Sequence, residues 1–348
     1  MNLSEREGPV AWLPAGMDAC ALYRMFLPHM SISPSMYYFP ENGITDVNNF
    51  SYCRVAVVQR LCSKANFAAL DLMRRGNIKI VYDLDDNVWS LPAYNPGVKL
   101  FKMMRAGFRH CAAMSDVITV STEPLRVAVL EALLGHKDTK CPPIEVIPNA
   151  MDFNLFRPVS ERCKRPKDGR IVMGYAGNNT HIGDVQNAFD ALPELLAAFP
   201  NLYLEFVGIP PPKEIASSER VRVLDYVPVS EYPARLASWQ WDLSIAPLDR
   251  NRFNVSKSSI KMMEAGAMHI PCVASAVAPY QDFCRGNSLL TDTVLCKTRV
   301  DWVRKTSALI ADEKLRQDVG EQMYLAAKKY DINVVAKKWQ SVFSSITQ

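Results

Sequence analysis

Two hydrophobic rhythms alternate along the chain. Short β-branched or apolar runs of four to six residues are followed by longer stretches in which apolar positions recur every three or four residues. The first kind predicts buried strands and the second amphipathic helices. In the first half, Arg54–Gln59 is a short apolar run, Ala65–Arg75 reads as a helix and Ile78–Tyr82 as a strand. Lys99–Met114 is helical again, Val117–Ser121 a strand, Leu125–Leu134 a helix, and Ile144–Ile147 a strand stopped by Pro148. The rhythm then restarts. Ile171–Tyr175 predicts a strand, Ala176–Asn179 a turn, Val185–Ala198 a single helix and Tyr203–Val207 a strand ended by Gly208. Leu243–Ala246, Ser259–Met268 and Cys272–Ser275 continue as strand, helix and strand. From Val300 to Ile346 the pattern is helical, with Trp302 and Trp339 on apolar faces.

Strands alternating with helices imply an α/β fold with parallel sheets. At 348 residues, two domains are expected. The best boundary lies between Pro148 and Gly169, where Arg157–Gly169 carries two prolines and a dense set of charges. The expected division is 1–157, 158–330, and a last helix, 331–348, returning to the first domain.

Composition narrows the function. Hydrophobic residues make up 49% and charged residues 22%, ordinary for a globular chain with a real core. No apolar run is long enough to span a membrane. Glu5, Glu7 and Asp18 interrupt the first thirty residues, so no signal peptide is read there. Nine scattered cysteines without a Cys-x-x-Cys pair suit reduced thiols in a cytoplasm, that of a host if a phage encodes the chain. A net charge of +4 is too small to imply nucleic-acid binding by the whole surface.

The most informative stretch is Phe253 to Ser275. A polar turn at Ser256–Ser259 opens a helix whose free N–H groups and positive dipole suit a phosphate. Lys257 adds charge, and Ser258 and Ser259 add hydroxyls. Glu264 lies roughly 7.5 Å further along the axis, at 1.5 Å per residue. A carboxylate there can accept from both ribose hydroxyls while a diphosphate sits at the helix mouth. The same residues also describe an ordinary capped amphipathic helix.

Other candidates follow from position. Asp83, Asp85 and Asp86 crowd three carboxylates just after a strand, where ligands bind in open α/β sheets and like charges suit acid–base work. Gly177, Asn178 and His181 form a strand-to-helix turn that a phosphate can approach. Lys261 is a further cation on the same helix as Glu264. Arg24, on an early helix, suits an acceptor or a phosphate. Lys99, Lys102, Arg105 and Arg109 fall within roughly a 120° arc of one helix, a basic stripe that suits a polyanionic acceptor or a solvated face.

The stretch Lys257-Ser-Ser-Ile-Lys-Met-Met-Glu264 resembles the donor-binding motif of family 4 glycosyltransferases, with Ser256 where the usual pattern has a first Glu. Tyr82-Asp-Leu-Asp-Asp-Asn-Val-Trp89, Asp116–Thr122, Ile147-Pro-Asn-Ala-Met-Asp152, Met173–Gly177 with Thr180-His181, and Cys20-Ala-Leu-Tyr23-Arg24 with Pro28 resemble further motifs of a divergent, phage-like branch, in order. The resemblance covers Cys20–Ser275. It implies the GT-B fold, two Rossmann-like domains facing an interdomain cleft. It implies transfer of a hexosyl or pentosyl group from a nucleoside diphosphate sugar, expected to be a UDP-sugar, to an acceptor hydroxyl with retention. Glu264 would then bind ribose, and Gly177, Asn178, His181, Lys257, Ser258, Ser259 and Lys261 the rest of the donor. It implies no required cofactor or metal. The expected acceptor is a glycan or small molecule; a hydroxymethylated DNA base, giving a DNA modification enzyme, is the alternative. A non-catalytic nucleotide-sugar binder and an epimerase are rival readings. A phosphorylase would need a pyridoxal-binding lysine and a longer chain. The pattern says nothing of oligomeric state.

Overall fold

The computed structural model describes residues 8–38, 47–135, 141–156 and 168–348. Two six-stranded parallel sheets organise it. The first comprises β1 (Val10–Leu13), β2 (Ser35–Tyr37), β3 (Val55–Gln59), β4 (Lys79–Leu84), β5 (Val117–Val120) and β6 (Ile144–Val146), in the order β2-β1-β3-β4-β5-β6. The second comprises β7 (Ile171–Ala176), β8 (Leu202–Val207), β9 (Val221–Leu224), β10 (Leu243–Ala246), β11 (Cys272–Ser275) and β12 (Leu295–Cys296), in the order β12-β11-β10-β7-β8-β9. The central strands are largely apolar because helices cover both faces; β3 is buried at all five positions. The α/β, two-sheet expectation therefore holds.

Strand order reverses between β1 and β3 in the first sheet and between β7 and β10 in the second. Chains leaving neighbouring strands at such a point diverge and open a crevice beyond their carboxyl ends. That geometry selects the loops after β1, β3, β7 and β10 as candidates for binding.

Two chain crossings tie the halves together. Met151 N donates to Tyr330 O at 2.8 Å, and Ile332 N to Met151 O at 2.9 Å. Beyond this bridge the last helix, Ile332–Thr347, runs back to the first sheet. Its Trp339 meets Trp12 of β1 edge-on at 5.1 Å, and Phe343 meets the same ring at 5.9 Å. One apolar core consequently continues from Trp12 and Trp339 through to Tyr175 and Phe206 of the second sheet. The other face of the first sheet has its own core around Leu70, Phe108 and Leu125. The expected linker, Arg157–Gly169, falls at 157–167 outside the described residues.

Some elements differ from the sequence reading. Val185–Ala198 is two short helices, Gln186–Phe189 and Leu192–Ala198. Pro193 fits the first turn of the second helix but has no N–H for the interior of a single one. β1, β2, β9 and β12, two to four residues long, are strands that the sequence reading does not contain. Among the described residues no helix is long and apolar enough to cross a membrane.

Candidate functional site

The helix Ile260–Ala267 starts at the cleft between the sheets. Lys261 and Glu264, spaced i, i+3, share one face of it, and Lys257 precedes the helix in extended backbone at its mouth. That face looks toward the end of β7, where Lys261 Nζ donates to Ala176 O. The first sheet's side of the molecule meets it at both ends. Lys257 Nζ pairs with Asp86 at 3.2 Å. Tyr23 OH donates to Glu264 Oε1 at 2.5 Å, and Tyr232 OH donates to Oε2 at 3.4 Å. Glu264 is buried, which raises its pKa against the opposing pull of Lys261 and the two tyrosine bonds. Burial likewise lowers the pKa of Lys261; at Lys257 burial also pulls it down, but Asp86, Cys20 and Asp85 together outweigh it and raise it. A carboxylate has about four lone-pair positions, so two tyrosines do not exhaust Glu264.

The helix mouth is held from the first domain. Thr122 Oγ1 donates to Ser256 O at 2.7 Å, and Asn149 Nδ2 to Ser258 Oγ at 2.8 Å. Ser259 is buried at the cap position. A cavity of about 140 Å³ opens at this seam, lined by Ser121, Thr122, Asn149, Lys257, Ser258 and Tyr330. Deeper in, Gly174, Tyr232, Trp241, Lys261 and Glu264 enclose only about 20 Å³, room for about one water.

The three aspartates part company. Asp83 is fully buried and accepts from both Nη2 and Nε of Arg24, itself fully buried, and from Thr119 Oγ1 at 2.7 Å. Arg24 also donates to Ile147 O and lies over the Trp339 ring at 5.4 Å. Neither residue presents an atom to the cleft, and the expectation of Asp83 in catalysis and Arg24 at an acceptor finds no exposed group in either. Asp85 and Asp86 do reach the cleft's edge. Asp85 Oδ1 lies 3.3 Å from Arg60 Nε; burial raises the Asp85 pKa, with Arg60 pulling it back. Arg60 occupies the left-handed region, φ 49°, at the end of β3, where a non-glycine residue carries strain of order 1–3 kcal/mol. Cys20 Sγ, Asp85 and Asp86 offer ligand atoms within 4.8 Å of one another, a spacing a divalent cation could bridge. Arg60 and Lys257 already balance the two carboxylates.

The turn after β7 brings Gly177, Asn178 and His181 beside this face. Asn178 Oδ1 accepts from Thr180 N at 3.0 Å and caps the turn. His181 Nδ1 donates to Asp184 Oδ2 at 2.8 Å. The loop after β4 supplies Tyr94, whose OH donates to Asp184 Oδ1 at 2.5 Å. A Cβ on Gly183 would stand 2.4 Å from the Tyr94 ring, so only glycine admits that ring.

The basic stripe is uneven. Lys99 and Lys102 are exposed on the helix Val98–Met114, Arg109 is half-buried, and Arg105 turns in to donate to Trp89 O at 2.5 Å. Four cations in one arc do not survive as four solvent-facing charges. Tyr94, Asp184, Tyr232 and Arg60 are absent from the sequence-based candidates. Of these, only the i, i+3 spacing of His181 and Asp184 was a readable signal.

Neither a protein-family model nor a curated protein sequence matches the chain. Solved structures do. Sucrose-phosphate synthase from Thermosynechococcus elongatus is 13% identical, with 97% of this chain and 99% of that chain covered and a TM-score of 0.66. HepE from Anabaena, in complex with UDP-glucose, is 13% identical over 97% of this chain and 100% of that one, with a TM-score of 0.69. A UDP-N-acetylglucosamine 2-epimerase from Listeria monocytogenes, described as putative, is 14% identical over 97% and 96%, with a TM-score of 0.59. At such low identity the likeness is one of fold, and along nearly its whole length the chain has the two-domain GT-B architecture.

Proposed function

We propose that the protein is a glycosyltransferase that moves a sugar, a hexosyl group, from a UDP-sugar to an acceptor hydroxyl. The observation that carries this reading is the charged group of Lys257, Lys261 and Glu264, set where strand order reverses in the second sheet and opposite Asp85 and Asp86 of the first. Ribose hydroxyls donate to Glu264, and the diphosphate lies along Lys261 and Lys257 toward the helix mouth. The small space now left around Glu264 means that the two halves part at Tyr23 to admit the ribose.

The reaction forms a bond between the acceptor oxygen and the anomeric carbon and breaks the bond from that carbon to the phosphate. Lys257, Lys261 and the helix N-terminus stabilise the charge on the leaving diphosphate. Asp85, raised in pKa, takes the acceptor's proton or orients its hydroxyl. Retention of configuration and independence of metal follow the family resemblance. The acceptor end presents Asp18, Asp85 and Asp86 around Arg60, which suits a neutral polyhydroxylated acceptor over a polyanion. With Arg105 folded inward, the stripe on the helix Val98–Met114 is not a continuous basic face, which weakens its support for a DNA acceptor.

Calorimetry with UDP on wild type and Glu264→Ala tests the donor site. Loss of a charged two-point hydrogen bond weakens binding by about 2–4 kcal/mol, roughly 30-fold to 1000-fold. Unchanged affinity would sink the assignment.

A further inference from the structure

The turn after β7 holds a device that the donor reading does not use. Gly177–Asp184 contains no arginine or lysine; its one ionisable base is His181. That ring is not free to turn. Asp184 Oδ2 accepts from His181 Nδ1 at 2.8 Å. Asp184 is buried, and its other oxygen accepts from Tyr94 OH at 2.5 Å, Asn254 Nδ2 at 2.6 Å and Asp249 N at 3.2 Å. Burial pushes the Asp184 pKa up, but His181, Tyr94 and the Asp249 backbone N–H together outweigh it, so the carboxyl is held ionised below its ordinary range. An ionised, immobile carboxylate fixes the proton on Nδ1 and leaves Nε2 with the lone pair. Among the described residues Nε2 has no protein hydrogen-bond partner.

The charged groups around the ring are few. Asp184 faces it from its own turn, and Lys257 and Lys261 face it from the helix segment. Tyr94 stands behind Asp184, and Asp86 behind Lys257. Burial and both lysines disfavour the imidazolium, and only Asp184 favours it, so the ring is neutral in the unliganded protein at neutral pH. A diphosphate lying between Lys257 and Lys261 would reverse the local sign, and an opposite charge within about 4–6 Å favours the protonated ring.

We propose that His181 is the third cation of the diphosphate site: neutral before binding, it takes one proton from solvent as the nucleoside diphosphate arrives and donates from Nε2 to a phosphate oxygen, with Asp184 as its positioning residue. The inference rests on the donor-site reading above. It makes donor affinity depend on pH with a definite sign. Binding is full where the free protein already holds the proton, and falls as pH rises through the higher pKa of the complex, by at most about tenfold per pH unit for one proton.

UDP binding, measured by calorimetry at about pH 8 in two buffers of different ionisation enthalpy, tests it, since UDP is then fully ionised. Wild type should take up a large fraction of one proton. His181→Gln should take up none, bind roughly tenfold more weakly and lose the pH dependence; a tenfold loss is one unit of the linkage above. Asp184→Asn removes the one anion that favours the imidazolium and should move the fall in affinity to lower pH; a merely structural role would leave that midpoint alone. Uptake in His181→Gln equal to wild type, or UDP binding by wild type without uptake, would overturn the proposal while leaving the donor site standing. No UDP binding by wild type would remove both.

Discussion

Arg24 and Asp83 hold two full charges where water reaches neither. An isolated buried charge costs far more than a domain can spare. The pair persists because both guanidinium edges are used: Nε and Nη2 on Asp83, Nη1 on Ile147 O, with Thr119 completing the carboxylate. Those partners lie on β4, β5 and the crossing between the domains, and Trp339 of the last helix covers the guanidinium. Arg24→Ala leaves Asp83 buried alone and should destabilise the protein by about 3–5 kcal/mol. Urea unfolding of wild type and variant measures this. A loss of under about 1 kcal/mol would show the pair to be replaceable, as exposed pairs are. At the same scale Glu264 differs, since its partners are hydroxyl groups whose bonds a ligand's hydroxyls can share.

The loop from Asp85 to Gly97 works as one element. Arg105 and Phe108 of the following helix hold Trp89, by a hydrogen bond and by a ring contact at 6.4 Å. From that anchored base the loop crosses the cleft twice, through Asp86 to Lys257 and through Tyr94 to Asp184. Tyr94 lies flat on Gly183, and its hydroxyl pKa is pushed up to about 12 by burial and by Asp184. Gly183→Ala should expel the ring, break the Tyr94–Asp184 bond and lower kcat/KM for sugar transfer about tenfold, consistent with one lost charged hydrogen bond. Thermal stability should change little, since the ring is at the cleft. Equal kcat/KM for variant and wild type would mean that the loop does not close on the donor.

Part of the proposed donor group was legible at this scale because Lys261 and Glu264 repeat at helical spacing and Lys257 stands just before the helix start. Tyr94 and Asp184 were not, because 90 residues separate them and only the packing of two domains brings them together. Asp83 resembled Asp85 and Asp86 in sequence. Strand alternation turns it to the side opposite Leu84, onto Arg24, and no local pattern announces the partner. Val185–Ala198 kept its helical period across a break that Pro193 imposes.

At the scale of the whole molecule, two parallel sheets place their strand reversals face to face, and the crossings at Met151 and Ile332 make them one body. Rhythm alone revealed the two halves, since each repeats the strand–helix alternation. The seam between them is where every proposed contact lies: Lys257 with Asp86, Glu264 with Tyr23, Asp184 with Tyr94. A site assembled from two bodies should open for the donor and close for transfer. The family resemblance implies no required metal, and activity should then survive a chelator.

The most direct measurement is release of UDP from UDP-glucose and other UDP-sugars in EDTA, with and without a panel of hydroxyl-bearing acceptors. Wild type should release UDP with at least one UDP-sugar, faster when the right acceptor is present, and Glu264→Ala should release little. Consumption of a UDP-sugar to an epimer without UDP release, no consumption of any, or full activity of Glu264→Ala would contradict transfer from a donor held on this helix.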